Sequence, residues 1–392
     1  MNTFQHCLSH CLISALSQVK VDVGKLPESR KWLCCPRRHC IFFILVLAAI
    51  LFAYSTNIQE LVPDWNPTKL WTSFQGQVIS SLFHNRSGSG SSTPGTGFIN
   101  KTSAPAFTPV PYVSPGPYVV EYPYDYHFVI NEPKKCEQLK PFLVLLVPVA
   151  PKNREHRNII RSTWGGDSLV QDKVVKLFFL LGLYAGEGAQ QLHEQLLQES
   201  QEHQDLIQSD FLDCYKNLTI KTMVMMEWLD AHCSSASYAM KIDSDTFLNV
   251  ANLVNMLLNA PKTNYMTGLV ARGGPVVRDP HSKWFLPVEM YAQSQYPRYA
   301  LGLGYILSLD LPKKLVEASK HVKALYIEDV YLGLCMQYLG ISPTDPPNWG
   351  YFHVFPVQYS RCAYSGLIAT TTHEHTDRVW IWKDFKKPGP YC

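Results

Sequence analysis

Hydrophobic positions along the chain fall into three regimes. From Cys40 to Tyr54 they form one block without a single charge. From Ile58 to about Val120 they thin out, and Ser, Gly, Thr and Pro dominate, as in Ser87-Gly-Ser-Gly-Ser-Ser-Thr-Pro-Gly-Thr-Gly. Such a stretch buries too little apolar surface to offset the entropy of ordering it. Beyond Tyr124 the apolar residues come in blocks with the lengths and periods of strands and helices. Pro141 to Val149 is apolar without alternation, as expected of a strand covered on both faces. Lys152 to Trp164 predicts a turn and a helix closed by Gly165 and Gly166. Val174 to Leu181 predicts a second strand, and Gly188 to His203 a helix with Leu192, Leu196 and Leu197 inward. Asp205 to Ile207 predicts a short strand. Asn217 to His232 reads as a helix feeding a strand at Tyr238 to Ile242, and a helix to about Asn259 and a strand at Asn264 to Val270 follow. Repeated βα units of this kind predict an α/β fold with a mixed central sheet flanked by helices, of nucleotide-binding style. There is no internal repeat, Walker loop or Gly-x-Gly-x-x-Gly fingerprint.

The charge-free block has Arg30, Lys31, Arg37 and Arg38 on one flank and no Lys or Arg on the other until Lys69. It is shorter than the ~20 residues of a usual spanning helix, so a buried core helix is the competing reading. The one-sided basic flank and the lack of amphipathic pattern favour a single membrane anchor, and a cleaved signal peptide fits poorly because its charged region would be too long. The expected organisation is a cytosolic tail at 1–39, an anchor at 40–57, a stem at 58–122 and a lumenal folded domain at 123–392. The short anchor favours a thin, early secretory bilayer, and a Golgi location is expected. Sequons at Asn85, Asn100 and Asn217 all fall after the anchor, as do six of the eleven cysteines: Cys136, Cys214, Cys233, Cys335, Cys362 and Cys392. An even number in an oxidising compartment suggests disulfides, with the pairing left open.

With 392 residues and 46% hydrophobic content, the chain can build one sizeable core with material left over. A net charge of +3 without a basic stripe argues against a nucleic-acid partner.

The chemistry gathers around Lys241-Ile-Asp-Ser-Asp-Thr-Phe-Leu-Asn249. Asp243 and Asp245 follow a predicted buried strand and, two apart in an extended segment, would point to one side at the strand's exit, where α/β sheets place their sites. Two hard oxygen ligands suit Mg²⁺ or Mn²⁺ shared with a diphosphate. An EF-hand starting at Asp243 would need Gly and Glu where the chain has Leu248 and Val254. An aspartyl phosphatase would be expected to carry its Asp after the first strand. A nucleotide-sugar site remains. Arg157 and Arg161, four apart on one helical face, suit a diphosphate or uracil contact, against a solvated basic face. Gly302 and Gly304 either let backbone approach a ligand or make a bulge. Glu328 and Asp329 stand before a helix, where acids also occur simply as caps. His373 reads as a metal ligand or a surface residue.

Together Arg157-Asn-Ile-Ile-Arg-Ser-Thr-Trp-Gly165, Lys241 to Asn249, Tyr296-Pro-Arg-Tyr-Ala-Leu-Gly-Leu-Gly-Tyr305 and Glu328-Asp-Val-Tyr-Leu-Gly333 stand in the order and spacing of the β-1,3-galactosyltransferases, glycosyltransferase family 31, which the chain resembles from about Tyr124 to Cys392. The resemblance implies a GT-A fold behind a type II anchor and stem. It implies Mn²⁺, UDP-galactose as donor, a glycan acceptor on glycoprotein or glycolipid, and inversion at the anomeric carbon with transfer to a 3-hydroxyl. Carried over, Asp245 is the direct metal ligand, Asp243 assists, His373 joins them on the metal and Asp329 is the base. Arg157, Arg161, Lys241, Asp243, Ser244, Gly302 and Gly304 are the expected donor contacts. Ala300 stands where the family often has Cys, which removes one expected disulfide, and Leu301 replaces a smaller residue near the acceptor side. Two alternatives stand beside this reading: N-acetylglucosaminyl transfer from UDP-GlcNAc, and a non-catalytic glycan-binding protein on the same fold.

Overall fold

The computed structural model describes residues 118–392. The expected tail and anchor, nearly all of the stem, and the sequons at Asn85 and Asn100 lie outside the described residues. Among the described residues no helix is long and apolar enough to cross a membrane.

In chain order the strands are β1 (Phe128–Ile130), β2 (Leu143–Pro148), β3 (Leu169–Val170), β4 (Lys173–Leu183), β5 (Leu206–Leu212), β6 (Tyr238–Ile242), β7 (Thr246–Leu248), β8 (Met266–Arg272), β9 (Arg298–Ser308), β10 (Phe352–His353) and β11 (Ala369–Thr371). The main sheet runs β1-β5-β4-β2-β6-β9-β8, with β3 attached to β4. Strands β5, β4, β2 and β6 are mutually parallel; β1, β9 and β8 pair antiparallel. A second, three-stranded sheet runs β10-β11-β7. The sheet is therefore mixed, as the sequence predicts.

The helices are α1 (Lys135–Leu139), α2 (Arg154–Ser162), α3 (Ala189–His203), α4 (Leu218–His232), α5 (Val250–Leu257), α6 (Leu311–Ser319), α7 (Glu328–Tyr338), α8 (Arg361–Gly366) and α9 (Arg378–Phe385). Their apolar faces divide between two cores. Val144 and Leu146 of β2 pack on one side with α4, α6 and α7, while Leu143, Leu145 and Val147 pack on the other with residues of α2, α3, α5 and α9. This explains the missing alternation: both faces of the strand are covered. Helix α4 is buried along almost its whole length, from Thr219 to Met226 and again at Trp228 and Leu229, so it too lacks a polar face.

Four details differ from the sequence expectation. Strand β9, eleven residues long, occupies a stretch to which the sequence pattern assigns no element. The segment expected to be the end of the stem is packed: Val120 and Tyr122 are buried, and the Tyr122 hydroxyl donates to Glu227 at 2.6 Å. On α3, Leu196 is buried but Leu197 is 40% exposed, and the other inward residue is Glu199. The sequon at Asn217 belongs to the packing, since the Asn217 amide donates to the Leu212 carbonyl and the Thr219 hydroxyl to the Leu325 carbonyl.

Two disulfides form, Cys136–Cys233 and Cys362–Cys392, while Cys214 and Cys335 stay free. Burial raises the pKa of both thiols, that of Cys335 to about 12, so neither is a ready nucleophile. Of the six cysteines among the described residues, alkylation of the denatured, unreduced protein should label Cys214 and Cys335 and spare Cys136, Cys233, Cys362 and Cys392. Peptide mass mapping checks this, and a third bridge joining Cys214 to Cys335 would contradict the structure.

Candidate active site

A cleft of about 700 Å³ opens at the carboxyl ends of the parallel strands, where ligands of α/β sheets bind. Its walls include Pro148 to Ala150 after β2, Asp213 to Tyr215 after β5 and Asp243 to Asp245 after β6. Gly302 of β9, Glu328 and Asp329 of α7, and the aromatic residues Trp284, Tyr296, Tyr299 and Tyr326 also line it.

Lys241 organises this centre. It is the fourth residue of β6, on the face covered by α4 and α7, and its side chain is only 6% exposed. Its ammonium donates to Asp243 at 2.7 Å, to Glu328 at 3.2 Å and to the Gly302 carbonyl. Burial works against this ammonium, but Asp243 and Glu328 outweigh it and hold the pKa above the ordinary lysine value. Burial raises the carboxyls of Asp243 and Glu328, with Lys241 the main opposing influence. Glu328 also accepts from Thr222 at 3.2 Å, which ties α7 to α4.

Asp243 and Asp245 lie in a turn between β6 and β7, not in an extended segment, so they are not equivalent. Asp243 turns back to Lys241 and keeps 42% of its side chain open. Asp245 is exposed, and its carboxylate makes no hydrogen bond or ion pair among the described residues; Arg378 is a charged neighbour, and the His156 ring, whose pKa burial lowers, is another neighbour. Ser244 lies between them, its hydroxyl 3.2 Å from His156 Nδ1. These two carboxylates fit a divalent cation chemically: hard oxygens, one of them unpaired, beside space for phosphates to complete the shell. Thr372 bonds to the Asp245 carbonyl, and the next residue, His373, is exposed and is not among the residues lining the cleft. No group of three His, Cys, Asp or Glu side chains gathers for a metal among the described residues.

Asp329 sits at the second position of α7. One carboxylate oxygen accepts from the Gly302 N–H at 2.9 Å and the other from the Val330 N–H at 2.9 Å. Burial pushes its carboxyl up, opposed first by the Gly302 N–H. A Cβ at Gly302 would meet Glu328 Oε1 at 2.9 Å and Asp329 Oδ2 at 3.4 Å, so a larger residue there would push the Glu328 carboxylate aside. The sequence leaves a ligand approach or a bulge open for these glycines, and at Gly302 the close approach is made by the protein's own helix. Gly304 lies one register further on, opposite Ile242, and is not part of the cleft wall.

Residues 155–347 match the family described as Galactosyltransferase. Beta-1,3-galactosyltransferase 1 of Mus musculus is 42% identical over 264 residues, 67% of this chain and 79% of that relative. The chain belongs to the galactosyltransferase family. Beta-1,3-galactosyltransferase 2 of Homo sapiens is 40% identical over 267 residues, 67% of this chain and 63% of its own length, so the chain spans somewhat less than two thirds of that relative. The apo structure of the bifunctional glycosyltransferase WbbM aligns over 60% of this chain and 46% of its own at 10% identity with a TM-score of 0.32, too low to bear on the fold.

Within this galactosyltransferase domain the arginines expected at the diphosphate go elsewhere. Arg157 is 1% exposed, pairs with Glu199 through two nitrogens at 2.7 and 2.6 Å, and holds the Ala150 and Pro151 carbonyls. Arg161 spans Glu199 and Asp205, each at 2.8 Å. Four-residue spacing puts both on one face, but that face meets α3 and the start of β5, and neither arginine lines the cleft. Arg157 reaches the site only through the loop it braces. Sequence reading missed Lys221 and Asp213, a buried pair at 2.7 Å that also holds the Val149 carbonyl. It missed His156 and Arg378 as well, because their partner in the turn is 88 and 134 residues away.

Lys241→Met would leave Asp243 and Glu328 without their shared cation. Stability should fall by about 3–5 kcal/mol at neutral pH. The deficit should shrink on acidification, because protonating the two carboxyls removes the charge that lost its partner. Unfolding curves of parent and variant at pH 7 and pH 5 measure this; an equal deficit at both would mean that the charge is not the cause.

Proposed function

We propose that this galactosyltransferase-family chain is an inverting, metal-dependent hexosyltransferase moving galactose from UDP-galactose to the 3-hydroxyl of an acceptor sugar on a glycoprotein or glycolipid. We place it in the Golgi membrane as a single-pass type II protein with its GT-A domain in the lumen, on the strength of the charge-free block and its one-sided basic flank.

The carrying observation is that one cleft brings together the unpaired Asp245, Asp243 and Asp329. Its charged lining comprises five carboxylates, Asp213, Asp243, Asp245, Glu328 and Asp329, against three lysines, Lys221, Lys241 and Lys283, a balance of two negative charges. A diphosphate entering such a cleft is repelled: at an effective dielectric near 20, each pair of like charges ~4 Å apart costs about 4 kcal/mol. Mn²⁺ held by Asp245 and Asp243 would reverse that sign and offset the charge developing on the departing UDP. Asp329 then takes the proton from the attacking acceptor hydroxyl. Each of its oxygens has one lone pair engaged by a backbone N–H, which fixes the carboxylate and leaves the other free. Aromatic side chains in the cleft lining, with Trp284 half exposed, offer a face on which an acceptor sugar can lie.

Asp329→Asn separates a base from a cap. The amide can accept from only one of the two N–H groups, so stability should drop by about 1–3 kcal/mol. Transfer should fall ~10² to 10⁴-fold while UDP binding persists. In the parent, turnover should decline as the pH falls through the Asp329 pKa, at a higher pH than an ordinary aspartate would give, because burial raises it. Near-parental turnover by a folded Asp329→Asn protein would leave Asp329 a structural residue.

Donor and metal are tested together. Radiolabelled UDP-galactose competing with UDP-GlcNAc should be transferred preferentially, chelation should abolish transfer, and Asp245→Ala should do the same in the presence of Mn²⁺. Full turnover after chelation would remove the metal from the mechanism, and preference for UDP-GlcNAc would change the donor.

A further inference from the structure

We infer that Arg378 and Trp164 are positioning residues for the acidic turn, holding its backbone from behind so that Asp243 and Asp245 face the cleft. The inference rests on the metal role proposed for those carboxylates. Four consecutive carbonyls of the turn are each held by a side chain. Asp243 O accepts from Thr246 Oγ1 at 2.7 Å, and Ser244 O from Arg378 Nη1. Asp245 O accepts from Thr372 Oγ1 at 2.6 Å and from the Thr372 N–H at 2.9 Å, and Thr246 O from Trp164 Nε1 at 3.0 Å. The donors come from the turn itself, the start of α9, the chain just after β11 and the turn that follows α2. Backbone oxygens so engaged point away from the cleft, and the carboxylates are the oxygens left to face it.

The donors are themselves fixed. Trp164 is 2% exposed. Arg378 begins α9, whose Trp382 and Phe385 rings lie 5.9 and 5.3 Å from Phe247 of β7. The Cys362–Cys392 bridge and Arg361, which donates to the carbonyls of Lys387 and Pro390, tie down the chain beyond α9. Arg378 also places positive charge near Asp245. That charge alone would weaken cation binding, whereas the bond to Ser244 favours it by ordering the turn; the shared pattern of four held carbonyls assigns the larger effect to ordering.

Arg378→Gln separates the two. Two measurements on the purified full chain without donor decide the matter: Mn²⁺ titration followed by electron paramagnetic resonance, and hydrogen exchange of peptides covering residues 238–249 in metal-free protein. If Arg378 positions the turn, exchange there accelerates, Mn²⁺ binds about tenfold more weakly, Arg378→Lys restores part of the affinity, and melting stays close to the parent's. Tighter Mn²⁺ binding by Arg378→Gln, or exchange unchanged from the parent, overturns the inference. Trp164→Phe keeps the ring and removes the donor; it should change both readouts in the same direction by a smaller factor, and it carries the test should Arg378→Gln not fold. If the parent and Asp245→Asn bind Mn²⁺ alike, the metal role of Asp245 fails, and hydrogen exchange alone then decides the positioning.

Discussion

A single buried ammonium sets the geometry of the site. Lys241 joins the end of β6, the middle of β9 and the first turn of α7 by contacting Asp243, Gly302 and Glu328 at once. A charge that deep is tolerated only when paired and hydrogen-bonded, so the three elements must converge for the fold to form at all. Their convergence brings Asp329 to the Gly302 N–H and opens Asp243 onto the cleft. The interaction that stabilises the centre of the sheet thereby fixes the spacing between the acidic turn and the proposed base.

How much of this could be read in advance depended on whether the signal was local. Strand β6 runs from Tyr238 to Ile242, as its apolar run predicts, and α4 starts within one residue of expectation, because burial on every side leaves an unbroken pattern. Strand β9 leaves no local signal, because its glycines break the apolar pattern; what fixes it is pairing with β6 and β8 on either side. Arg157 and Arg161 show the limit of helical periodicity. Spacing puts them on one face but does not say that this face meets Glu199 and Asp205 instead of a ligand. Glu199 gives no warning either, being one polar residue in a mostly polar helix that happens to turn inward.

The candidate site followed the same rule. Asp243, Asp245 and Asp329 share a cleft, which motif order suggested, but their inequivalence is a tertiary fact. Asp243 has a lysine two residues away on the same strand, while Asp245 has none. Thr372, the residue before His373, meets the Asp245 carbonyl through a contact 127 residues long in sequence. Residues that brace the turn from α2 and α9 leave no periodic trace, since each supplies a single long-range donor.

Pairing is therefore what separates structural acids from chemically available ones. Glu199, Asp205, Asp213, Asp243 and Glu328 each lie within 3.2 Å of a lysine or arginine nitrogen. The Asp329 carboxylate is held only by backbone N–H groups, and the Asp245 carboxylate by no hydrogen bond among the described residues. Deleting the partner of a paired acid costs stability, because a buried charge is stranded. An unpaired acid at a cleft has no such internal debt, and its charge is free to act on what enters. Asp245 and Asp329 stand at two ends of the Lys241 clamp, one open to a cation and one steadied by two N–H donors. In the transfer proposed above, an acceptor hydroxyl and a nucleotide-sugar would be brought to two acids whose positions the protein has already fixed, so reordering at the moment of transfer would fall to the substrates and not to the turn or to α7.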